Sequence, residues 1–203
     1  YAVNGYGNAG SFAAIYMDDF GAKMVACNDS RGGAYNPEGM NAREVLAWKE
    51  RYGTVRGFPG STDIDDKALY ALPVDVIIPA ALENTITHEI ASGVQAKVIV
   101  EAANGPTTPA ADEVLNQKGV LVVPDILASA GGVTASYFEW AQNLQGFYWT
   151  AEEVDRRLEK IVLDSFSAVW TMHEEKKVSM REAAFLLGVK RVVDAMRVRG
   201  WLL

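Results

Sequence analysis

Gly5-Tyr6-Gly7-Asn8-Ala9-Gly10 carries the spacing G-x-G-x-x-G, just after a short apolar segment and just before an amphipathic stretch. Glycines at that spacing suit recognition of a pyrophosphate by backbone. The first permits a tight turn, the second lets the chain approach the phosphates, and the third lets helix and strand pack closely. A helix opening at that point adds unpaired N–H groups and the positive end of its dipole. Asp29 stands 19 residues after Gly10, at the end of a second apolar run. That is close to the roughly 20 residues at which a carboxylate meets the adenosine ribose. In a chain with 18 glycines the glycine spacing alone is weak; its setting between strand, helix and Asp29 gives it weight. A carboxylate at 29 accepts from ribose hydroxyls and repels a 2′-phosphate, which favours NAD. Arg31, two residues further on, offers a counter-charge that leaves NADP open.

Three further stretches lie just past the ends of apolar runs, where open α/β sheets place their sites: Pro79 to Asn84, Glu101 to Thr107, and Asp125 to Ser136. Small residues there allow close backbone approach, and Asn or Ser supplies donors and acceptors. A single Asn in such a place is more often a turn or cap residue, so it is the joint placement that counts. Other chemistry-bearing residues read blandly. His88 and His173 are far apart on helical stretches and suit surface or packing positions, and Cys27 suits a small buried hydrophobe. Asp18-Asp19, Glu152-Glu153 and Glu174-Glu175 suit solvated helix faces, and Lys97 has no Schiff-base setting. No metal constellation remains.

The elements that must hold these residues follow from periodicity. Phe12, Ile15 and Tyr16 share a helical face, and Gly21 closes that helix. Lys23–Asp29, Val74–Ile78, Lys97–Glu101 and Val120–Val123 are short apolar runs of the buried parallel-strand kind. Asn41 with Glu44 has capping-box spacing and opens a helix through Trp48. Helices are also expected over Asn84–Ala91 and Pro109–Gln117, with a surface loop from Gly53 to Ser61. Thr150 with Glu153 and Ser179 with Glu182 launch two long helices. Their apolar stripes run Val154, Leu158, Ile161, Ser165, Val169, Met172 and Leu186, Val189, Val193, Met196. Alternating strands and helices followed by a helical tail predict an α/β fold: a Rossmann-type doubly wound, mostly parallel sheet with appended C-terminal helices. The predicted division is a dinucleotide-binding domain over 1–149 and a helical extension over 150–203.

Composition narrows the function classes. The 203 residues carry 26 acidic and 19 basic side chains, a net charge of −7. That acidity excludes a general nucleic-acid binder. There is no run of about 18 apolar residues to cross a membrane. A single cysteine with no legible leader reads as a reducing, cytoplasmic setting. Only Tyr1, Ala2 and Val3 precede a glycine-rich turn, so the chain reads as a fragment or excised domain that begins inside or just before its first strand.

Taken together, Gly5 to Gly10, Asn28-Asp29-Ser30-Arg31-Gly32-Gly33 with Tyr35-Asn36-Pro37, Glu101 to Thr107, Ala130-Gly131-Gly132-Val133-Thr134-Ala135-Ser136 through Trp140, and Thr150 to Val154 resemble the cofactor-binding domain of the glutamate dehydrogenases. The resemblance extends from the first residue to Gly200-Trp201. It implies that Gly5, Tyr6, Gly7, Asn8, Ala9 and Gly10, with Asp29 and Ser30, hold the dinucleotide, and that Ala80, Ala81 and Asn104 line the nicotinamide half of the cleft. It further implies that Val133 bounds the glutamate side-chain pocket and that Ser136 hydrogen-bonds the distal carboxylate. Ser129 departs from the pattern, standing where the family carries Asn before Ala-Gly-Gly-Val. Family resemblance also places the catalytic lysine and aspartate in a separate N-terminal domain. The expectation is therefore a chain that binds NAD(H), with NADP possible, but does not turn over. The parent would be a homohexamer and this chain a monomer. Two rivals stand beside it. A leucine, valine or phenylalanine dehydrogenase would leave the Ser136 hydroxyl without a polar partner. A nucleotide-sensing module would have no use for a substrate-side Gly-Gly-Val-x-x-Ser element.

Overall fold

Val3 and its neighbour Ala2 are both fully buried, yet they belong to different cores. Successive strand residues point to opposite faces, so a strand covered on both sides reads as an unbroken apolar run. The same division separates Ala26 from Cys27 and Ile77 from Ile78. These residues lie in a computed structural model that describes residues 1–201. Its strands are β1 (Ala2–Asn4), β2 (Met24–Asp29), β3 (Gly32–Met40), β4 (Thr62–Ile64), β5 (Val76–Pro79), β6 (Val98–Val100) and β7 (Leu121–Val123). They form one sheet in the order β4-β3-β2-β1-β5-β6-β7. β2, β1, β5, β6 and β7 run parallel, while β3 pairs antiparallel with both β2 and β4.

Helices cover both faces. Ala14 of α1 (Asn8–Asp19) and Val45 of α2 (Ala42–Tyr52) join one core with Val3, Cys27 and Ile78. The other core takes Leu69 and Tyr70 of α3 (Asp66–Tyr70), Ala91 of α4 (His88–Gly93) and Leu115 of α5 (Pro109–Gln117), against Ala2, Ile77, Ile99 and Val122. The mostly parallel, doubly wound sheet expected from the sequence is thus present. Lys118, just past α5, donates to the carbonyls of Ala91, Ser92 and Val94 at 2.7–3.2 Å and so satisfies the C-terminal end of α4.

The chain divides into two compact units, Tyr1–Asp125 and a second that begins at Ile126. The second is helical: α6 (Asp125–Ala128) straddles the boundary, then α7 (Ala130–Gln145), α8 (Ala151–Lys176) and α9 (Met180–Val198) follow. α7 packs on α8. Both expected capping boxes form. Thr150 and Glu153 exchange hydrogen bonds of 3.1 and 3.3 Å, and Ser179 and Glu182 exchange bonds of 2.9 and 3.2 Å. On α9, however, Met180, Ala183 and Ala184 are buried, while Leu186 and Val189 of the predicted stripe are 47% and 61% exposed. The buried face of α9 is thus the one carrying Met180, Ala183 and Ala184 rather than the predicted stripe.

Three sequence expectations change. β3 and β4 lie in stretches with no strand signal. Gly33 fits β3 because a Cβ there would lie 2.8 Å from Ile64 Cγ2 and 2.9 Å from the Cys27 carbonyl oxygen. The helix predicted over Asn84–Ala91 begins only at His88. Before it, the Asn84 and Ile86 N–H groups donate to the Gly105 and Pro106 carbonyls at 2.8 Å, tying one loop to the next. Asn41 caps α2 by accepting from the Glu44 N–H at 3.1 Å, without the reciprocal bond of a full box.

Cys27 is fully buried. Burial, reinforced by the nearby Asp29 charge, pushes its thiol up from an ordinary value near 9 to about 12. The folded thiol therefore keeps its proton over a window in which the unfolded one loses it. This group's contribution to stability is intact below pH 9 and is lost as pH rises toward 12. A thiol-reactive probe at pH 8.5 should leave the native chain unmodified and label one site per chain after denaturation. Rapid native labelling would refute the burial of Cys27.

Candidate functional site

Asn4 of β1 is in register with Asn28 of β2 on one side and with Pro79 of β5 on the other. Three parallel strands thus finish in one row. β1 is also where the winding reverses, so the loops leaving it and its neighbours diverge and open a crevice. The glycine loop leaves β1 into that crevice, Asp29 ends β2, and Ala80-Ala81 follow β5. The Ala80 N–H donates to the Asn4 carbonyl at 2.7 Å.

Two of the glycines are required by contact. Gly5 has φ +96°, and a Cβ on it would lie 2.6 Å from the Ala81 nitrogen. A Cβ on Gly10 would lie 2.0 Å from the Gly5 carbonyl oxygen and 3.1 Å from Val3 Cγ1. Gly7 meets nothing within 4 Å. It is the N-cap of α1, which has no side-chain cap and no acidic residue in its first turn. Gly7, Asn8 and Ala9 are exposed. The first-turn N–H groups of α1 therefore face open space with a favourable dipole, an arrangement suited to an anion. A glycine cradle and an uncapped helix end fit the pyrophosphate of a dinucleotide.

Tyr6, expected among the dinucleotide contacts, is instead a core residue with 1% exposure. Its hydroxyl donates to the Ala42 carbonyl at 2.8 Å, and burial holds that proton well above the usual phenol range. Its side chain points into the core beside α1 and α2, and the Lys49 ammonium donates to its carbonyl. The contribution of Tyr6 is to anchor the loop from below.

Asp29 is held by three hydrogen bonds. Its Oδ1 accepts from the Arg31 N–H at 2.8 Å and the Thr54 hydroxyl at 2.9 Å, and its Oδ2 accepts from the Val55 N–H at 2.7 Å. That uses three of the roughly four acceptor positions of a carboxylate and leaves room for one more donor. Thr54 and Val55 belong to the segment read from sequence as a surface loop. Fully buried Val55 was the available signal, an apolar residue in an otherwise aperiodic stretch. Asp29 and Ser30 rim a hollow of about 590 Å³ that is also walled by Asp63, Asp65 and Asp66. Its two cations are already engaged: Arg56 pairs with Asp63 at 2.5 Å, and Lys67 with Glu89 at 2.6 Å. The Arg31 guanidinium lies against Gly53, where a Cβ would come within 3.1 Å of it.

Asn104 is exposed on the loop after β6. That loop is held beside β5 by the Ala102 and Ala103 N–H groups, which donate to the Pro79 carbonyl at 3.0 and 2.8 Å. Fully buried Glu101 accepts from the Asp125 N–H, and Asp125 in turn accepts from the Gly105 N–H, both at 2.8 Å. Gly5 to Gly10, Asp29, Ser30, Ala80, Ala81 and Asn104 therefore all sit at the C-terminal ends of neighbouring strands in the first unit. Val133 and Ser136 belong to the second unit, exposed and three residues apart on α7. Ser129 is the N-cap position of α7 but does not cap it with its side chain. His88 is exposed, and His173 Nδ1 meets the Val178 carbonyl at the end of α8. Among the described residues no group of His, Cys, Asp and Glu is placed to hold a metal ion, and no helix is long and apolar enough to cross a membrane.

Comparison with known proteins bears on the same stretch. A family model described as Glutamate/Leucine/Phenylalanine/Valine dehydrogenase matches residues 1–200. A cryptic catabolic NAD-specific glutamate dehydrogenase of Bacillus subtilis is 48% identical over 200 residues, covering 98% of this chain and 47% of that protein. An NADP-specific glutamate dehydrogenase of Halobacterium salinarum is 51% identical over 201 residues, covering 98% and 48%. The hetero-hexameric glutamate dehydrogenase of Thermus thermophilus, solved with leucine bound, superposes with a TM-score of 0.90 at 36% identity, covering 98% of this chain and 47% of that one. The chain spans about half the length of the relatives it matches.

Gly10, in close contact, and Gly7, in open space, differ in what they tolerate. Gly10→Ala should destabilise the chain by about 2–3 kcal/mol or more in urea unfolding, because backbone must move to admit the methyl group. Gly7→Ala, with open space around it, should cost no more than about 1 kcal/mol. Equal costs for the two would contradict this packing of α1 on β1.

Proposed function

The chain belongs to the Glutamate/Leucine/Phenylalanine/Valine dehydrogenase family, and on that premise we propose that it is the dinucleotide-binding part of a glutamate dehydrogenase that prefers NAD(H). The observation that carries the reading is the uncapped start of α1 above the Gly5–Gly10 loop, with the Asp29 carboxylate at the end of the adjoining strand.

In this reading the N–H groups at the start of α1 hold the pyrophosphate, and Gly7 leaves the room for it to approach. Asp29, held still by Arg31, Thr54 and Val55, accepts from a ribose hydroxyl with its remaining acceptor position. Three more carboxylates around the adjoining hollow, against cations that are already paired, oppose a 2′-phosphate; this supports NAD over NADP. Ala80, Ala81 and Asn104 line the nicotinamide half. When bound, the nicotinamide supplies the hydride acceptor for oxidation at the substrate α-carbon. Val133 and Ser136 take the substrate side chain, with the Ser136 hydroxyl meeting its distal carboxylate. That hydroxyl favours glutamate over an apolar amino acid, since an apolar substrate would strand it. Proton transfer falls outside the roles assigned to these residues, so the 203-residue chain alone is a cofactor-holding unit.

Calorimetric titration of the chain should show binding of NAD(H), tighter than NADP(H), while glutamate oxidation stays far below the roughly 1–10³ s⁻¹ typical of an intact enzyme. Turnover in that range by this chain alone would place the acid–base groups within it. Asp29→Ser should weaken NAD binding by about 1.5–3 kcal/mol through loss of a charged hydrogen bond, and should raise the affinity for NADP relative to NAD. Because Asp29 also anchors Thr54 and Val55, the NADP/NAD ratio is the decisive readout. An unchanged ratio would remove Asp29 from the ribose site.

A further inference from the structure

One polar side chain beneath the crevice is not accounted for by binding. Asn28 is 2% exposed. Its Oδ1 accepts from the Gly5 N–H at 2.7 Å and from Asn4 Nδ2 at 3.3 Å. Its backbone carbonyl accepts from the Tyr6 N–H at 2.7 Å, and its Nδ2 donates to Asp66 Oδ1 on α3 at 2.5 Å. Asn4 is in turn fixed by the Tyr70 hydroxyl, which donates to its Oδ1 at 3.1 Å.

We infer that Asn28 is a positioning residue for the dinucleotide, with its amide oriented by Asp66 to lock the glycine loop in its binding shape. The inference rests on the dinucleotide reading above. Glycine at position 5 gives the loop its turn but also leaves it free to adopt others, since φ of either sign is open to it. Something must select one state. Asn28 does so by occupying the first two N–H groups of the loop, so that the donors left for a phosphate begin at Gly7. A carboxamide suits this task because it carries an acceptor and a donor on one planar group. The Asp66 carboxylate can meet only the donor, and this turns the acceptor toward Gly5. Serine is too short to span both partners. Aspartate would keep the acceptor but face Asp66 with a like charge.

A side-chain exchange tests the pairing. NAD affinity is measured by calorimetry at 10 °C for wild type, Asn28→Ala, Asn28→Asp, Asp66→Asn and the double variant Asn28→Asp/Asp66→Asn, with melting temperatures followed in parallel. Asn28→Ala and Asn28→Asp should each weaken NAD about tenfold or more, the loss expected when a buried donor or a like-charged pair is left uncompensated. Asp66→Asn keeps an acceptor for Nδ2 and should stay within about threefold of wild type. The double variant restores one acceptor and one donor, so it should recover to within about threefold of wild type despite the new charge at 28. Amide exchange at Gly5 should accelerate in Asn28→Ala and slow again in the double variant.

Several outcomes overturn the inference. One is a folded Asn28→Ala that binds NAD as wild type does, with only its melting temperature lowered; another is a folded double variant no better than Asn28→Asp. Should Asn28→Ala fail to fold, the exchange pair still decides. Failure of the wild-type chain to bind any dinucleotide overturns the cofactor reading and the inference together. Wild-type binding with an indifferent Asn28 overturns the inference alone.

Discussion

Helix α1 is drawn so tightly onto the first strand that a single methyl group at Gly10 would collide with the Gly5 carbonyl. That contact sets the height of the helix over the sheet and aims its free N–H groups along the crevice. Other features of the rim depend on it. Gly5 holds φ +96°, and a Cβ on it would lie 2.6 Å from the Ala81 nitrogen. Tyr6 is driven inward, where its ring fills the space under the loop. Glycine at 5 and at 10 is thus required by one steric arrangement, in which a side chain at either position would strike neighbouring backbone.

Below the rim the sheet is almost wholly apolar, and the buried polar groups gather at the strand ends. Asn4, Asn28 and Glu101 all lie near the ends of parallel strands: Asn4 and Asn28 bond each other and α3, Asn28 also holds the Gly5 N–H, and Glu101 accepts from the Asp125 N–H. Buried polar groups of this kind are costly unless satisfied, but when satisfied they select one loop geometry among many. The arrangement divides labour: hydrophobic burial supplies stability through the two cores, while the polar row supplies shape.

Much of this was legible in the residues. β2 and β5–β7 show as dense runs of Val, Ile, Leu, Met and Cys, and the crevice follows from where those runs end. Pro109 at the first turn of α5 and the Thr150 and Ser179 boxes mark helix starts through local chemistry, so position alone reveals them. β3 was not legible, because a strand built from Gly32, Gly33, Pro37 and Gly39 has the composition of a turn; its pairing with β2 and β4, close about Gly33, explains it. The Asp29 anchor was hidden for a different reason. Thr54 and Val55 lie 25 and 26 residues away in an aperiodic loop, and no periodicity announces a bond of that range. Asn28 was visible only as a neighbour of Asp29. Its value comes from tertiary partners on β1 and α3.

The two outermost strands, Thr62–Ile64 and Leu121–Val123, are three residues each. A rim of unpaired backbone that short gives a foreign strand little to zip onto, and Asp63 places a charge in the middle of one of them. The sheet is therefore poorly suited to growing sideways, whether during synthesis or at high concentration.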